Sequence, residues 1–457
     1  MTQPTKGGAA WAAVGYVAMI AAAIGVFFLV REAGNALTAP PPVPPAVGAP
    51  GTAAGSDALY HLLIALTAIV VVGRTLGRAF SALGQPPVIG EVVGGVLLGP
   101  SFLGAIAPAA YTFILPASVA PHLGMVAQLG VILYMFMVGL GLNADLLRGQ
   151  VHATVATSHA SIVLPFALGT VLALYLYPRL STSDIPFTSF ALFLGIAMSI
   201  TAFPVLARIL SDLGITRTPI GVVALTCAAV DDVTAWCLLA LVVGVVQARA
   251  GSAMFVILLT VAFIALMFLV VRPLARRLVR VAGTGEPTSG AIAVAIAAML
   301  LAALTTEAIG VHAIFGAFLL GAVIPHETPL ARSLVGSFEH LVTILLLPAF
   351  FALAGMRTEI GLLSEWSDWL ACALIIVVAT VGKVGGTLAA GRMSGLGWRD
   401  AAGLGVLMNT RGLMQLIVLN VGLDLGVISP ALFTMMVIMA LVTTIATTPV
   451  FRRIVGP

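Results

Sequence analysis

The stretch Gly221-Val-Val-Ala-Leu-Thr-Cys-Ala-Ala-Val-Asp-Asp-Val-Thr-Ala-Trp236 places two adjacent aspartates, Asp231 and Asp232, near the middle of an apolar segment that runs from Gly221 to Val246. A helix of about 20 apolar residues is long enough to cross a bilayer. Each carboxylate at the bilayer centre costs about 2.5–3.5 kcal/mol on insertion scales, so charges at that depth are rare and mark functional sites. The pair therefore predicts a site inside a membrane protein.

A counter-charge for this pair is present elsewhere in the chain. One of the two lysines, Lys383, lies inside a second apolar segment that runs from Leu370 to Ala390. Neighbouring residues of a helix project about 100° apart, so Asp231 and Asp232 cannot face the same direction. We therefore expect one aspartate to pair with Lys383 and the other to face water.

Composition indicates an integral membrane protein along the whole chain. Of the 457 residues, 60% are hydrophobic and 8% are charged, whereas soluble domains carry about 25% charged residues. The formal charge of +4 comes mainly from arginines in short loops, so we expect it to set topology and expect no nucleic-acid partner. The three cysteines lack metal-binding spacing, which predicts neither a metal centre nor a cofactor. No P-loop or catalytic-triad pattern suggests an enzyme.

Apolar runs divide the chain into an N-terminal helix (1–33), a Pro/Gly-rich linker (34–57) and a transmembrane transport domain (58–457). The fold class that we expect is an all-α polytopic membrane protein with about thirteen core helices plus the N-terminal one. The predicted core spans are 58–80, 87–106, 121–142, 152–177, 187–213, 216–247, 253–280, 289–305, 310–325, 336–356, 367–391, 398–421 and 430–451.

The N-terminal apolar segment has two interpretations. Lys6 before it and Ala36–Ala39 after it are compatible with a cleaved signal peptide. Its apolar run exceeds the roughly 7–15 residues of a signal peptide, which favours a retained helix or signal anchor. Arginines concentrate at the trailing ends of odd-numbered core spans, so the positive-inside rule places the C-terminus in the cytoplasm. We expect the inner membrane of a bacterial cell.

Two parts of the core resemble each other. Ile89–Pro100 in the second span matches Phe315–Pro325 in the ninth, and Gly141–Asp145 matches Gly355–Glu359 at the next helix ends. Seven spans separate the copies, so they would insert with opposite orientations, as in inverted-repeat transporters. The expected repeats are about 87–247 and 310–451.

Corresponding spans of the two copies also carry polar interruptions. The fifth span contains Ser199-Ile-Thr-Ala-Phe-Pro204, in which Pro204 cannot donate a helical hydrogen bond. The twelfth contains Met408-Asn-Thr-Arg-Gly412. Because unwound helices near the midplane supply carbonyls and half-helix ends to ion sites, we predict two crossed, broken helices with Pro204, Thr410 and Gly412 at the breaks.

Six motifs occur in order along the core: Gln85–Glu91 with Leu98–Ser101, Leu133–Leu140, Ser199–Arg208, Ala229–Asp232, Gly310–Ala313 with Gly316–Phe318, and Asn409–Leu413. Over about residues 58–453, the chain resembles the monovalent cation:proton antiporter superfamily. The match is to its second large family, which includes Kef-type, NapA-type and plant CHX-type transporters. The resemblance implies a fold of the NhaA/NapA kind and a homodimer surrounded by membrane lipids.

The same resemblance implies roles for the charged residues. In that family the second aspartate of the pair binds the ion and the proton, which maps to Asp232. The first aspartate pairs with a lysine on a distant helix, which maps to Asp231 and Lys383. The Asp-Asp form is similar to electrogenic members, whereas Kef-type and CHX-type proteins usually carry Gln-Asp or Asn-Asp. Gln415 stands where many CHX-type relatives have a glutamate, so the role of that acid is not transferred.

The predicted function is secondary active antiport of Na⁺ or K⁺ against protons, electrogenic, with Na⁺ favoured and Asp232 as the alternating proton and cation site. Candidate oxygen ligands besides Asp232 are the hydroxyl of Thr201 and carbonyls freed at Pro204. Arg411 and Asn409 are expected to offset the charges of half-helix ends. The alternative is a gated cation pathway without obligatory proton exchange. A non-transporting sensor or scaffold is disfavoured by the intact charged core.

Overall fold

The computed structural model describes residues 6–40, 55–141, 151–216, 218–247, 253–282, 287–325 and 328–456. These residues are almost entirely helical and contain no strand, which confirms the predicted all-α membrane fold. Most of the predicted linker and most of the motif Gly141–Asp145 lie outside the described residues. The domain boundaries stay a prediction.

The described residues form twenty α-helices: α1 (Lys6–Gly34), α2 (Gly55–Ala82), α3 (Pro87–Leu98), α4 (Leu103–Ile106), α5 (Pro108–Ile114), α6 (Ala120–Leu140), α7 (Val151–Leu180), α8 (Phe187–Ser199), α9 (Phe203–Asp212), α10 (Pro219–Gln247), α11 (Ala253–Leu266), α12 (Arg272–Ala282), α13 (Ser289–Ile309), α14 (Ala313–Val323), α15 (Pro329–Leu341), α16 (Leu347–Met356), α17 (Trp366–Met393), α18 (Trp398–Met408), α19 (Leu413–Asp424) and α20 (Pro430–Val455). A π-helical turn joins α11 to α12 and another joins α15 to α16.

Each predicted core span coincides with one helix or with two consecutive helices. Within the described residues, eleven helices are long and apolar enough to cross a bilayer, or twelve if the bent pair α18–α19 counts as one span. The ninth predicted span is shorter than expected. Its helix, α14, has 11 residues, about 16 Å at 1.5 Å per residue, against a hydrocarbon core of about 30 Å.

The helices pack as two bundles. One contains α2, α3, α6, α13, α14 and α16, and the other contains α7 to α10 and α17 to α20. The N-terminal helix α1 packs on α7 of the second bundle, where the rings of Tyr16 and His159 meet edge to face. Direct helix contacts between the bundles are sparser and include α16 against α19.

Matched glycines bring the helices of the first bundle together. A Cβ on Gly95 of α3 would lie 2.4 Å from a backbone oxygen of α16, and one on Gly321 of α14 would lie 2.3 Å from a backbone oxygen of α6. A Cβ on Gly90 of α3 would lie 2.5 Å from the backbone of α2, and one on Gly316 of α14 would lie 2.1 Å from the backbone of α13. The glycines that match in sequence thus occupy matching places. An inverted repeat requires such packing, although the repeat itself stays a prediction.

Candidate functional site

Two broken helices cross inside the second bundle. Residues 200–202 separate α8 from α9, and residues 409–412 separate α18 from α19, whose axes differ by 43°. The breaks lie against each other, because the N–H of Ala202 donates to the carbonyl oxygen of Thr410 at 2.9 Å. Pro204 lies in the first turn of α9, where a missing N–H costs no helical hydrogen bond. It therefore begins the second half of a broken helix.

Asp231, in the middle of α10, is enclosed by hydrogen-bond donors. Its side chain is 1% exposed. Ser158 Oγ lies 2.5 Å from Oδ1, while Ser161 Oγ (2.8 Å), Thr201 Oγ1 (2.9 Å) and Lys383 Nζ (2.9 Å) surround Oδ2. Hydrogen bonds from an ammonium to a carboxylate are roughly twice as strong as neutral ones. Asp231 is therefore a saturated and firmly oriented acceptor.

Lys383, on α17, is completely buried. Its Nζ lies 2.5 Å from the carbonyl oxygen of Ser199 at the end of α8 and 3.4 Å from Ser161 Oγ, in addition to its contact with Asp231. An ammonium has three protons to donate, and three acceptors surround this one. Because the C-terminal end of a helix carries partial negative charge, Lys383 also stabilises the broken end of α8.

Asp232 has a different environment from its neighbour. It is 3% exposed, and no side chain among the described residues donates a hydrogen bond to either carboxylate oxygen. The backbone N–H of Phe203 points towards this carboxylate, the charges of Asp231 and Lys383 act on it, and Tyr134 of α6 lies near it. Burying a polar group without compensation is costly, and burying a bare charge is more so. A proton or a bound cation supplies that compensation.

Arg411 is the largest fully buried side chain among the described residues. Its guanidinium donates to the carbonyl oxygens of Met198 (2.7 Å), Ala197 (3.2 Å) and Ile200 (3.4 Å). These carbonyls belong to the last turn of α8 and to the break that follows, where helical acceptors are left without partners. Arg411, from one broken helix, thus satisfies the end of the other.

The remaining predicted residues lie at the second break. Asn409 Nδ2 is 3.4 Å from Thr380 Oγ1 on α17, so its recorded side-chain hydrogen bond joins a neighbouring helix and not a half-helix end. Thr410 supplies the carbonyl that joins the two breaks. A Cβ on Gly412 would lie 2.6 Å from Cγ2 of Val205, so the broken helices pack closely there.

The serines of α7 are site residues that the sequence analysis missed, and Thr201 has an unexpected partner. Thr201 contacts Asp231, and its hydroxyl also lies 3.0 Å from the carbonyl oxygen of Met408. The only sequence signal for Ser158 and Ser161 was their spacing of three residues, which places both on one helical face. Serine is too common in apolar helices for that spacing to predict a site.

A cavity of about 620 Å³ lies between the bundles, lined by α6, the start of α14, α16 and α19. Its polar residues include Gln128 and His312. Arg357, where α16 ends, donates to Asp424 Oδ1 at 2.8 Å and to Asn420 Oδ1 at 2.9 Å on α19. The topology predicted from the arginines would put this cavity on the outer face.

Comparison with known sequences gives matches along most of the chain. The family model for transmembrane sodium/hydrogen exchangers matches residues 63–455. The chain is 45% identical over 398 residues to the Na(+)/H(+) antiporter NhaS4 of Synechocystis sp., covering 86% of this chain and 97% of that protein. It is 38% identical over 403 residues to Cation/H(+) antiporter 18 of Arabidopsis thaliana, covering 88% of this chain and 50% of that protein. The chain thus spans about half the length of the plant relative.

A solved structure has a similar fold. The sodium proton antiporter MjNhaP1 from Methanocaldococcus jannaschii superposes with a TM-score of 0.66 at 14% sequence identity, covering 88% of this chain and 99% of that one. At this identity the likeness concerns the fold alone. It agrees with the architecture expected from the crossed, broken helices.

Proposed function

Because this chain belongs to the family of transmembrane sodium/hydrogen exchangers, we propose that Asp232 is the group through which it exchanges a monovalent cation for protons. The chain is a secondary active cation/proton antiporter, and its family consists of transporters. The alternative of a gated pathway without proton exchange is not favoured, since the curated relatives compared above are named as antiporters.

One observation carries the assignment to Asp232. Two adjacent buried carboxylates differ in their partners: Asp231 is surrounded by four side-chain donors, whereas no side chain among the described residues donates to Asp232, which has only the backbone N–H of Phe203 beside it. A carboxylate that already has a full set of donors has little to gain from a proton or a cation. The carboxylate without side-chain donors gains most, so the exchange is assigned to Asp232.

Antiport follows from competition at this carboxylate. In the protonated form Asp232 is neutral and is tolerated inside the protein. When the proton leaves, the anion needs a cation, and hard cations take oxygen ligands such as carboxylates and backbone carbonyls. Carbonyls of the two breaks, at residues 200–202 and 409–412, are the further ligands of this proposal. One site that holds either a proton or a cation couples the two fluxes.

Access to the site alternates by rocking of the two bundles. In inverted-repeat transporters the substrate site lies at the midplane, and one bundle moves against the other around it. Here the site lies in the second bundle, and a cavity lies between the two bundles. The assembly that we propose is a homodimer in the lipid bilayer of a bacterial inner membrane, with the C-terminus in the cytoplasm.

The exchange is electrogenic in this proposal. If Lys383 gives up a proton when the cation binds, two protons leave for each cation that enters. One net charge then crosses the membrane in each cycle, which is worth about 2.3 kcal/mol per 100 mV. Na⁺ is favoured over K⁺ because the relative that matches over nearly its whole length is named as a Na(+)/H(+) antiporter.

Proton flux in proteoliposomes tests the assignment. Vesicles with an imposed pH gradient are given Na⁺, K⁺ or Li⁺, with and without a potential clamp. We expect cation-triggered proton movement in the parent protein and none in Asp232→Asn. The adjacent, equally buried Asp231→Asn is the matched control, and we expect it to retain exchange with a weaker apparent cation affinity and an altered charge stoichiometry. Exchange that survives in Asp232→Asn, or is lost only in Asp231→Asn, contradicts the assignment.

A further inference from the structure

We propose that Ser158 and Ser161 of α7 are positioning residues of the transport site. Their hydroxyls fix the carboxylate of Asp231, and a fixed Asp231 keeps Lys383 away from Asp232. The inference rests on the proposed role of Asp232 as the exchanging carboxylate. It assigns a function to two hydroxyl groups that the proposed exchange does not itself use.

The geometry of α7 suits the two serines to this task. Both are completely buried, and a spacing of three residues places them on the same helical face, towards α10. Ser158 Oγ donates to Oδ1 of Asp231 at 2.5 Å, and Ser161 Oγ donates to Oδ2 at 2.8 Å. Because one hydroxyl holds each oxygen, the rotation of the carboxylate about the Cβ–Cγ bond is fixed.

The two serines are not equivalent. Among the described residues, Ser158 is the one recorded donor to Oδ1 of Asp231, whereas Oδ2 keeps Thr201 and Lys383 when Ser161 is removed. Loss of Ser158 therefore frees one end of the carboxylate, while loss of Ser161 leaves both oxygens held. A substitution at Ser158 must have the larger effect.

Orientation matters because Lys383 is near both aspartates. Its ammonium bonds to Asp231 and also acts electrostatically on Asp232. The other acceptors of this ammonium, the carbonyl oxygen of Ser199 and Ser161 Oγ, are uncharged, so the position of the charged acceptor has the largest influence on where the ammonium lies. If Asp231 is no longer fixed, the ammonium can move to Asp232 and occupy the carboxylate that binds the transported cation. The ammonium of Lys383 would then compete with the transported cation for Asp232, and the apparent affinity for the cation would fall.

Both serines have a second acceptor. Ser158 Oγ lies 3.3 Å from the carbonyl oxygen of Cys227, and Ser161 Oγ lies 2.8 Å from the carbonyl oxygen of Ser158. When Asp231 is made neutral, the hydroxyls can turn to these carbonyls, so no buried donor is left unpaired. The serines should therefore influence cation binding only while Asp231 carries its charge.

The test is a measurement of Na⁺ affinity in the full chain, with K⁺ in parallel. Affinity is obtained from the KM of proteoliposome transport and from Na⁺-dependent thermal stabilisation of the purified protein. We expect Ser158→Ala to raise the KM and the apparent Kd about tenfold, which corresponds to about 1.4 kcal/mol. Ser161→Ala should raise them less, and the maximal rate should change less than about twofold, as expected for lost binding energy.

Two controls separate positioning from general damage. Thr170→Val removes a buried hydroxyl of the same helix whose recorded bond is to the carbonyl of Ala167, and it should leave Na⁺ affinity unchanged. The serine substitutions are repeated with Asp231→Asn. In that background the charge that the serines orient is absent, so the serine substitutions should raise the KM and the apparent Kd by less than about a further twofold. Such non-additivity is expected of residues that act through one another.

Each outcome decides between the two proposals. The positioning role is overturned by any of three results: unchanged affinity in Ser158→Ala, an equal loss of affinity in Thr170→Val, or the same loss in Ser158→Ala with and without Asp231→Asn. The proposed function survives these results as long as Asp232→Asn abolishes Na⁺ binding. Full Na⁺ binding by Asp232→Asn overturns the proposed function instead. Because thermal stabilisation reports binding without turnover, a variant that folds but does not transport is still informative.

Discussion

The ion pair between Asp231 and Lys383 links α10 to α17 through side chains that are 1% and 0% exposed. These two charges are buried away from water and stabilise each other as an ion pair. Three hydroxyls also donate hydrogen bonds to the carboxylate. Removal of one partner of such a pair costs about 3–5 kcal/mol, because the other charge stays buried and unpaired. The stability of the bundle therefore depends on the pair being intact or being removed as a whole.

We expect Lys383→Met to lower the free energy of unfolding by about 3 kcal/mol. This is the lower end of the range of about 3–5 kcal/mol, because the hydroxyls still donate hydrogen bonds to Asp231. The measurement is thermal and denaturant unfolding of the purified protein in detergent. The double substitution Asp231→Asn/Lys383→Met removes both charges, and we expect it to be more stable than Lys383→Met alone. A double variant that loses stability as the sum of the single variants would contradict a coupled pair.

Sequence reasoning singled out the charged residues that the structure brings together, and it missed the hydroxyls that contact them. Asp231, Asp232 and Lys383 stand out because a charge in an apolar segment is costly. Ser158 and Ser161 do not stand out, because a serine can satisfy its hydroxyl on its own helix, so its presence there costs little. Which aspartate faces the lysine depends on the rotation of α10 about its axis. Periodicity cannot fix that rotation in a helix that is apolar on all sides, so only the family resemblance suggested it.

At the scale of helices, the sequence predicted the breaks better than the ends. The polar groups at 199–204 and 408–412 interrupt apolar runs, and the structure breaks both helices there. The shortness of α14 was missed because residues 310–325 form one apolar run. A local capping arrangement starts the helix late: Glu307 Oε2 accepts the N–H of Ala313 at 2.8 Å, and Gly310 turns the chain with a φ of 93°.

Close helix contact within the first bundle leads to a prediction at two glycines of α6. A Cβ on Gly139 would lie 2.3 Å from the carbonyl oxygen of Phe318, whereas one on Gly124 would meet nothing within 4 Å. Overpacking typically costs about 1–3 kcal/mol. We expect Gly139→Ala to destabilise the protein by at least that amount and Gly124→Ala, on the same helix, to change stability little. Equal melting temperatures of the two variants would show that α6 and α14 separate easily.

At the scale of the whole molecule, the two bundles must move relative to each other if access alternates. The cavity between the bundles reaches Val131 on α6, about one turn before Tyr134, which lies near Asp232. Arg357 of the first bundle and Asp424 of the second form an ion pair across this cavity, with side chains that are 31% and 57% exposed. The pair holds the arrangement of bundles seen here and has to break when that arrangement changes.

Loss of this pair should therefore alter transport more than stability. An ion pair this exposed contributes about 0–1 kcal/mol, so we expect Arg357→Gln to leave the unfolding free energy within about 1 kcal/mol. The same energy is enough to shift the balance between two bundle arrangements up to about fivefold. Because the predicted topology puts this cavity on the outer face, we expect apparent cation affinity from that side to fall by up to this factor. The exchanged pair Arg357→Asp/Asp424→Arg should restore affinity in right-side-out vesicles. A large loss of stability in Arg357→Gln, or an exchanged pair no better than the single variants, would contradict a contact between moving bundles.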